Sequence, residues 1–313
     1  MKHNRLQNKI AGSVFALPFC VVAATAMWWL PQRALDVRCL LGLALCLLTT
    51  YVVMETNAQQ HIIRIRTRMM SCVWLILCAS LAFMHPFGEP LVAAALLTVS
   101  YHLLFRCYQR HRPQALAFHA FLMLGLGSFV APVMLPMALF YFLYRAIFLR
   151  SMTSRAFWAG VLGLVVPYWC YAVWCFVTKD MESFVGRLAG MVQFEMPSVE
   201  AITSMPLVCQ ASAGVVGLLS LISIMHYLRT KYDDKIRVRM ILYIYVSQTL
   251  LLIAYLLLQP AHYETTMALL LCSASPLIAH YFALTGSWLS TAFFILSLLL
   301  TAGMATLNLV HSS

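Results

Sequence analysis

Residues 156–178 read AFWAGVLGLVVPYWCYAVWCFVT, 23 consecutive positions without one charged side chain. A helix needs about 20 mostly apolar residues to cross the hydrocarbon core of a bilayer, so this run alone is long enough to span a membrane. The rest of the chain repeats the pattern. Of 313 residues, 62% are hydrophobic and 10% charged, whereas a soluble domain carries roughly 45–50% apolar and about 25% charged residues. That composition excludes a water-soluble globule, a disordered chain, a nucleic-acid-binding module and a disulfide-stapled secreted domain. It predicts an all-α polytopic integral membrane protein.

Working outward from 156–178, comparable apolar runs occupy 11–30, 38–54, 70–85, 90–106, 115–130, 133–149, 207–227, 239–259, 265–284 and 287–309. About eleven transmembrane helices are therefore predicted, within a range of ten to twelve. Short connectors separate them, apart from 179–206, so 1–313 reads as a single transmembrane domain. The stretch 114–149 divides at Pro132 and Pro136. Two short spans, a re-entrant pair and one kinked helix all fit it, because proline is tolerated where neighbours re-satisfy the freed carbonyls. Lys2, Arg5 and Lys9 precede the first run, and Ala24-Thr25-Ala26 resembles a signal-peptide cleavage site. The run continues through Met27-Trp28-Trp29-Leu30, which predicts an uncleaved span with its tryptophan pair in an interfacial aromatic belt.

The net charge of +11 would suit an acidic partner, but its distribution says otherwise. With the N-terminus cytoplasmic, 17 of the 21 Lys and Arg residues fall within 2–9, 64–68, 106–112, 145–155 and 229–239, all on the inner side. Only Arg33, Arg38, Lys179 and Arg187 lie outside. This is the positive-inside asymmetry of membrane insertion, so the charge sets orientation and predicts no nucleic-acid partner. The acidic residues lean outward, as Asp36, Glu89, Asp180, Glu182, Glu195, Glu200 and Glu264.

Ten cysteines lie within or beside apolar runs with no C-x-x-C pair, and neither H-x-x-x-H nor H-E-x-x-H occurs. Packing is their default reading, and no metal site or cofactor is predicted. No charged residue stands at mid-depth in a run, which counts against a proton-coupled pump. The buried polar candidates are His102, His119, Gln210, His226, Gln248, Ser273, Ser275 and His280. Hydrogen bonds between helices account for such residues at about 0.6 kcal/mol each. Alternatively, Gln248 and a proline break at Ser273-Ala-Ser275-Pro276 line a lipid-accessible cavity.

A chemical site is arguable only on the outer face. Within 179–206, Phe184, Val185, Leu188, Met191 and Val192 recur at helical spacing, with Glu182, Arg187 and Gln193 on other sides. That pattern predicts an interfacial amphipathic helix, ended by Glu195-Met-Pro197. Asp36, Glu89, Glu264, His85 and His262 are the catalytic candidates, a carboxylate acting as general base on an acceptor hydroxyl. Arg187 is the candidate for binding a lipid phosphate. The plainer reading of the same residues is that outer connectors are simply polar.

Several short runs stand in a telling order: Glu55-Thr-Asn57, Arg64-Ile-Arg66-Thr-Arg68, Met84-His85-Pro86-Phe87, Tyr144-Arg145 to Arg150, Phe157-Trp158-Ala159-Gly160 and Pro167-Tyr168. The layout resembles a family of uncharacterised multi-pass inner-membrane proteins (a domain of unknown function) of Bacteroidota. The resemblance implies a bacterial inner membrane and carries no catalytic motif. The span number and acidic outer side also resemble polyprenyl-phosphate-sugar glycosyltransferases of the envelope. Their acidic first outer loop is here only Pro31–Val37, with Asp36 its sole carboxylate.

The expected function is a component of cell-envelope assembly, with the lipid bilayer and envelope-assembly proteins as partners. An enzyme acting on lipid-linked glycans, such as a polyprenyl-phosphate, or on lipids at the periplasmic face is the alternative. A lipid or solute transporter is a third reading, although no internal repeat is detectable.

Overall fold

A computed structural model describes residues 6–29, 36–192 and 199–312. It is 83% helical, with no strand among the described residues. In chain order the helices are α1 (Leu6–Gly12), α2 (Ala16–Trp29), α3 (Val37–Gln60), α4 (Met69–Ala79), α5 (Glu89–Phe105), α6 (Gln114–Ser128) and α7 (Met134–Ile147). They are followed by α8 (Ser154–Thr178), α9 (Met181–Val192), α10 (Val199–Thr203), α11 (Leu207–Thr230), α12 (Ile236–Leu258), α13 (Tyr263–Leu284) and α14 (Trp288–Ser312). The inner residues Lys2 and Arg5, the outer loop 31–35 with Arg33, and Gln193, Glu195 and Pro197 lie outside the described residues.

Every one of the eleven apolar runs holds a helix, but the runs are not equal. Six helices are long and apolar enough to cross a membrane: α3, α8, α11, α12, α13 and α14. The pair α1 and α2 becomes a seventh if its 95° bend lies within one span. The helices α4, α5, α6 and α7 are shorter, at 11, 17, 15 and 14 residues. An 11-residue helix is about 16 Å long, roughly half the ~30 Å hydrocarbon core. Apolar composition continues from 70 to 85, but the α-helix stops at Ala79 and a 3₁₀ turn covers Ala82–Met84. Composition counts residues, whereas spanning requires rise. The stretch 114–149 forms two helices joined by a turn at 129–133, not one kinked helix.

The centre of the molecule is α13, which packs on α4, α5, α11 and α12. Its helix continues through Pro276 without interruption. Alongside, α6 packs against α5 and α8. The α6–α8 crossing depends on Gly125 and Gly163: a Cβ at Gly163 would collide with the Phe118 carbonyl, and one at Gly125 would sit 2.8 Å from the Leu164 carbonyl. Small residues of this kind let helix backbones approach where lipid supplies no hydrophobic drive between them.

Two predicted surroundings are reversed. Trp28 is fully buried instead of lying in an aromatic belt, and its indole N–H donates to the carbonyls of Cys39 (3.1 Å) and His85 (2.9 Å). Arg145, read as an inner-connector charge, is likewise buried; its Nη1 and Nη2 donate to the carbonyls of Ala156 (2.9 Å) and Ser151 (3.1 Å). In both cases one acceptor, the carbonyl of His85 or of Ser151, lies in a connector outside the α-helices, where a buried backbone carbonyl needs such a donor.

Candidate functional site

The six outer candidates do different local work. Asp36 caps α3, its Oδ1 accepting the Arg38 backbone N–H at 3.0 Å. His85 is buried, donates from Nε2 to the Ala79 carbonyl at 3.0 Å and stacks on Trp28 with centroids 4.4 Å apart. The Phe87 N–H reaches the Arg38 carbonyl at 2.9 Å, and the His85 carbonyl lies so close to Gly42 that a Cβ there would collide with it. These contacts knot the two connectors together. Glu89 is exposed in the first turn of α5, where a carboxylate complements the helix dipole. His262 closes a short 3₁₀ turn, and Glu264 stands exposed in the first turn of α13.

The Glu264 segment reaches the 82–84 turn through ring contact between Tyr263 and Phe83 at 5.8 Å. Arg187 belongs to another neighbourhood, donating to the Phe129 carbonyl at 3.4 Å. Its helix, α9, covers Met181–Val192; Phe184 packs on Tyr171 at 5.9 Å, while Val185 and Leu188 of the expected apolar set are exposed. Among the described residues, no hydrogen bond or ion pair joins any two of Asp36, His85, Glu89, Arg187, His262 and Glu264.

The polar residues inside the runs are spent on packing. Ser273 and Tyr101 share a hydrogen bond of 2.8 Å, and the Gln248 amide donates to the Tyr144 hydroxyl at 3.0 Å. With α13 continuous through Pro276, the expected proline break is not present. His280 has a partner no sequence pattern announces: its Nε2 lies 3.0 Å from Oδ2 of Asp234, both side chains being buried. The two are separated by 46 residues, and no motif links them. All ten cysteines are free, and no group of three metal-ligating side chains forms among the described residues.

A cavity of about 460 Å³ lies where the 95° bend carries the chain from α1 into α2. Its walls come from the bend, α2, α4, α11, α13 and α14, with Cys72, Val73, Ile76, Ile278, Phe294 and Leu298 among the lining. The few polar groups on the wall are internally satisfied. Ser297 Oγ donates to the Phe294 carbonyl at 2.7 Å and Thr301 Oγ1 to the Ser297 carbonyl at 2.9 Å, so the surface offered is hydrocarbon. Phe15 and Phe19 line the same cavity and are about three-quarters exposed, which opens it laterally.

A buried side chain ties the bend to the rest of the fold. Gln7 Nε2 donates to the Thr285 carbonyl (2.6 Å), to Thr285 Oγ1 (3.2 Å) and to Ser290 Oγ (2.9 Å). It thereby fixes α1 across the connector that joins α13 to α14. Lys9 and Arg68, chain neighbours of the lining residues Ile10 and Met69, are exposed and form no ion pair among the described residues. The readable signal for the bend was Gly12-Ser13 at the head of an apolar run, a turn-forming dipeptide. The cavity itself draws on five separate parts of the chain and has no local signature.

No protein-family model, curated protein or solved structure matches the chain.

Proposed function

We propose that this chain is a multi-pass protein of the bacterial inner membrane, N-terminus cytoplasmic, that holds the hydrocarbon tail of a membrane lipid as a non-enzymatic component of cell-envelope assembly. The observation that carries this reading is the laterally open cavity of about 460 Å³ with a hydrocarbon lining. Ligand sites are concave, mostly apolar and of about 300–1,000 Å³, and inside a bilayer the abundant apolar occupant is a lipid chain. Lys9 and Arg68 supply positive charge beside the lining, without an ion-pair partner among the described residues and suited to the phosphate of that lipid. The eleven-span topology is part of the proposal, with α4 to α7 as short spans. The enzymatic alternative draws no support from the dispersed outer carboxylates.

The test is native mass spectrometry of the full chain extracted with its native lipid, beside variants that fill the cavity from opposite walls, Val73→Trp and Leu298→Trp. The wild type should retain a phospholipid or isoprenoid-lipid adduct through detergent exchange, and both variants should lose it while keeping their helical content. A wild type without an adduct, or filled variants with undiminished occupancy, would refute the proposal.

A further inference from the structure

A second cavity, of about 420 Å³, is built from quite different chemistry. Gln59 and Gln60 at the end of α3, Arg106, Tyr108 and Arg110 after α5, and Arg237 at the start of α12 surround it. Three guanidinium groups from two chain segments 127 residues apart thus face one space. Arg237 is held in place without any anion. Its Nη2 donates to Oε1 of the buried Gln60 at 2.5 Å, and its guanidinium carbon lies 5.6 Å from the Tyr108 ring centroid. The 106–112 connector is fixed as well, because Gln109 adopts a left-handed φ of 51° and its N–H donates to the Leu149 carbonyl at 2.9 Å.

The charge around this space is uncompensated. Among the described residues, the ion pairs are Arg64–Asp233 and His280–Asp234, and neither involves a pocket arginine. The nearest carboxylate on these elements, Glu55, accepts from Gln59 Nε2 at 2.6 Å and has no arginine nitrogen within 4.0 Å. Cys107, in the same connector, registers the field: burial pushes its thiol up to about 11 while Arg145, Arg110 and Arg106 pull against it. Like charges gathered around a cavity repel one another, and an anion in the cavity would relieve that. Guanidinium forks match phosphate oxygens in pairs, and the amide of Gln59 stands beside them as a neutral donor.

We infer that the cavity bounded by Arg106, Arg110, Arg237, Gln59, Gln60 and Tyr108 is a binding site for a phosphate group on the face of the protein that carries the basic connectors. The group is either the headgroup of an anionic phospholipid or a phosphate of a water-soluble compound. Recognition is by the phosphate, so both sources share the same contacts. The site stands apart from the hydrocarbon cavity, with which it shares no lining residue.

The experiment uses the full chain in nanodiscs of phosphatidylcholine, reading the thermal unfolding midpoint in two arms. One arm adds inorganic pyrophosphate to the solution; the other replaces part of the lipid with phosphatidylglycerol. Stabilisation in either arm supports the site and names its source, provided that Arg106→Gln and Arg110→Gln each weaken the apparent affinity by about tenfold. Arg110 is exposed and without an ion pair among the described residues, so its variant keeps the fold. Arg66→Gln, an equal loss of charge outside the pocket, should leave the response unchanged. No stabilisation in either arm, or an equal loss in Arg66→Gln, would overturn the assignment.

Discussion

The helices α8 and α13 are almost twins by composition and almost opposites by environment. As candidate membrane spans the two have the same length and the same mean hydropathy, yet 89% of the most apolar 18-residue stretch is buried in the α13 span and only 22% in the α8 span. In water such a pair could not exist, because equal hydropathy would drive both inward. In lipid, apolarity selects the membrane and leaves burial to be decided by shape and hydrogen bonding. α13 carries Ala268, Ser273, Ala274, Ser275 and Ala279, small enough to admit four neighbouring helices, and polar groups that need partners. α8 carries Trp158, Trp169 and Trp174, all exposed, and its buried residues are Ala156, Gly160, Gly163, Pro167 and Cys175.

The largest effect should therefore come from adding volume to α13. Ala274→Phe places a ring where no space exists, and overpacking of this kind costs about 3 kcal/mol. Trp174→Leu in α8, which removes as many heavy atoms as the first variant adds, should stay within about 0.5 kcal/mol because the side chain faces outward. Thermal unfolding in a single detergent, followed by circular dichroism, compares the two directly. Equal destabilisation would break the contrast.

A smaller effect tests the one place where α8 behaves like α13. Gly163→Ala drives a methyl group into the Phe118 carbonyl on α6 and should cost about 2 kcal/mol, since backbone cannot step aside cheaply. Gly217 in α11 has open space around its Cβ position, so Gly217→Ala should be neutral or stabilise by up to about 1 kcal/mol through helix propensity. The same measurement applies. A neutral Gly163→Ala would mean that the α6–α8 contact is looser than the geometry implies.

This contrast also explains what was legible in the sequence. The apolar runs locate helices because every backbone polar group in lipid must be satisfied within its own segment. The amphipathic period from Phe184 to Met191 identifies α9 for the same reason as in any surface helix. Which helices are buried was not legible, because hydropathy is blind to it in lipid. Trp28 illustrates the point: next to Trp29 at a span end it reads as an interfacial anchor, and only the fold brings the Cys39 and His85 carbonyls to its N–H. The arginine pocket was hidden differently. The positive-inside rule accounts fully for the sign of Arg106, Arg110 and Arg237, so their convergence left no residue of charge to explain.

The smallest expected effect concerns the outer carboxylates. Glu89 and Glu264 are exposed, form no ion pair among the described residues and lie on separate helices, so the double variant Glu89→Ala/Glu264→Ala should unfold within about 0.5 kcal/mol of the wild type. It should also retain the lipid adduct. Asp36→Ala should differ from both, because its carboxylate accepts a backbone N–H at the start of α3 and losing such a cap costs about 1 kcal/mol. A catalytic groove would invert that order: the double variant would abolish turnover of a lipid-linked substrate while its stability stayed unchanged. Measuring stability and turnover together on these two variants thus separates carboxylates that hold the outer face from carboxylates that act there.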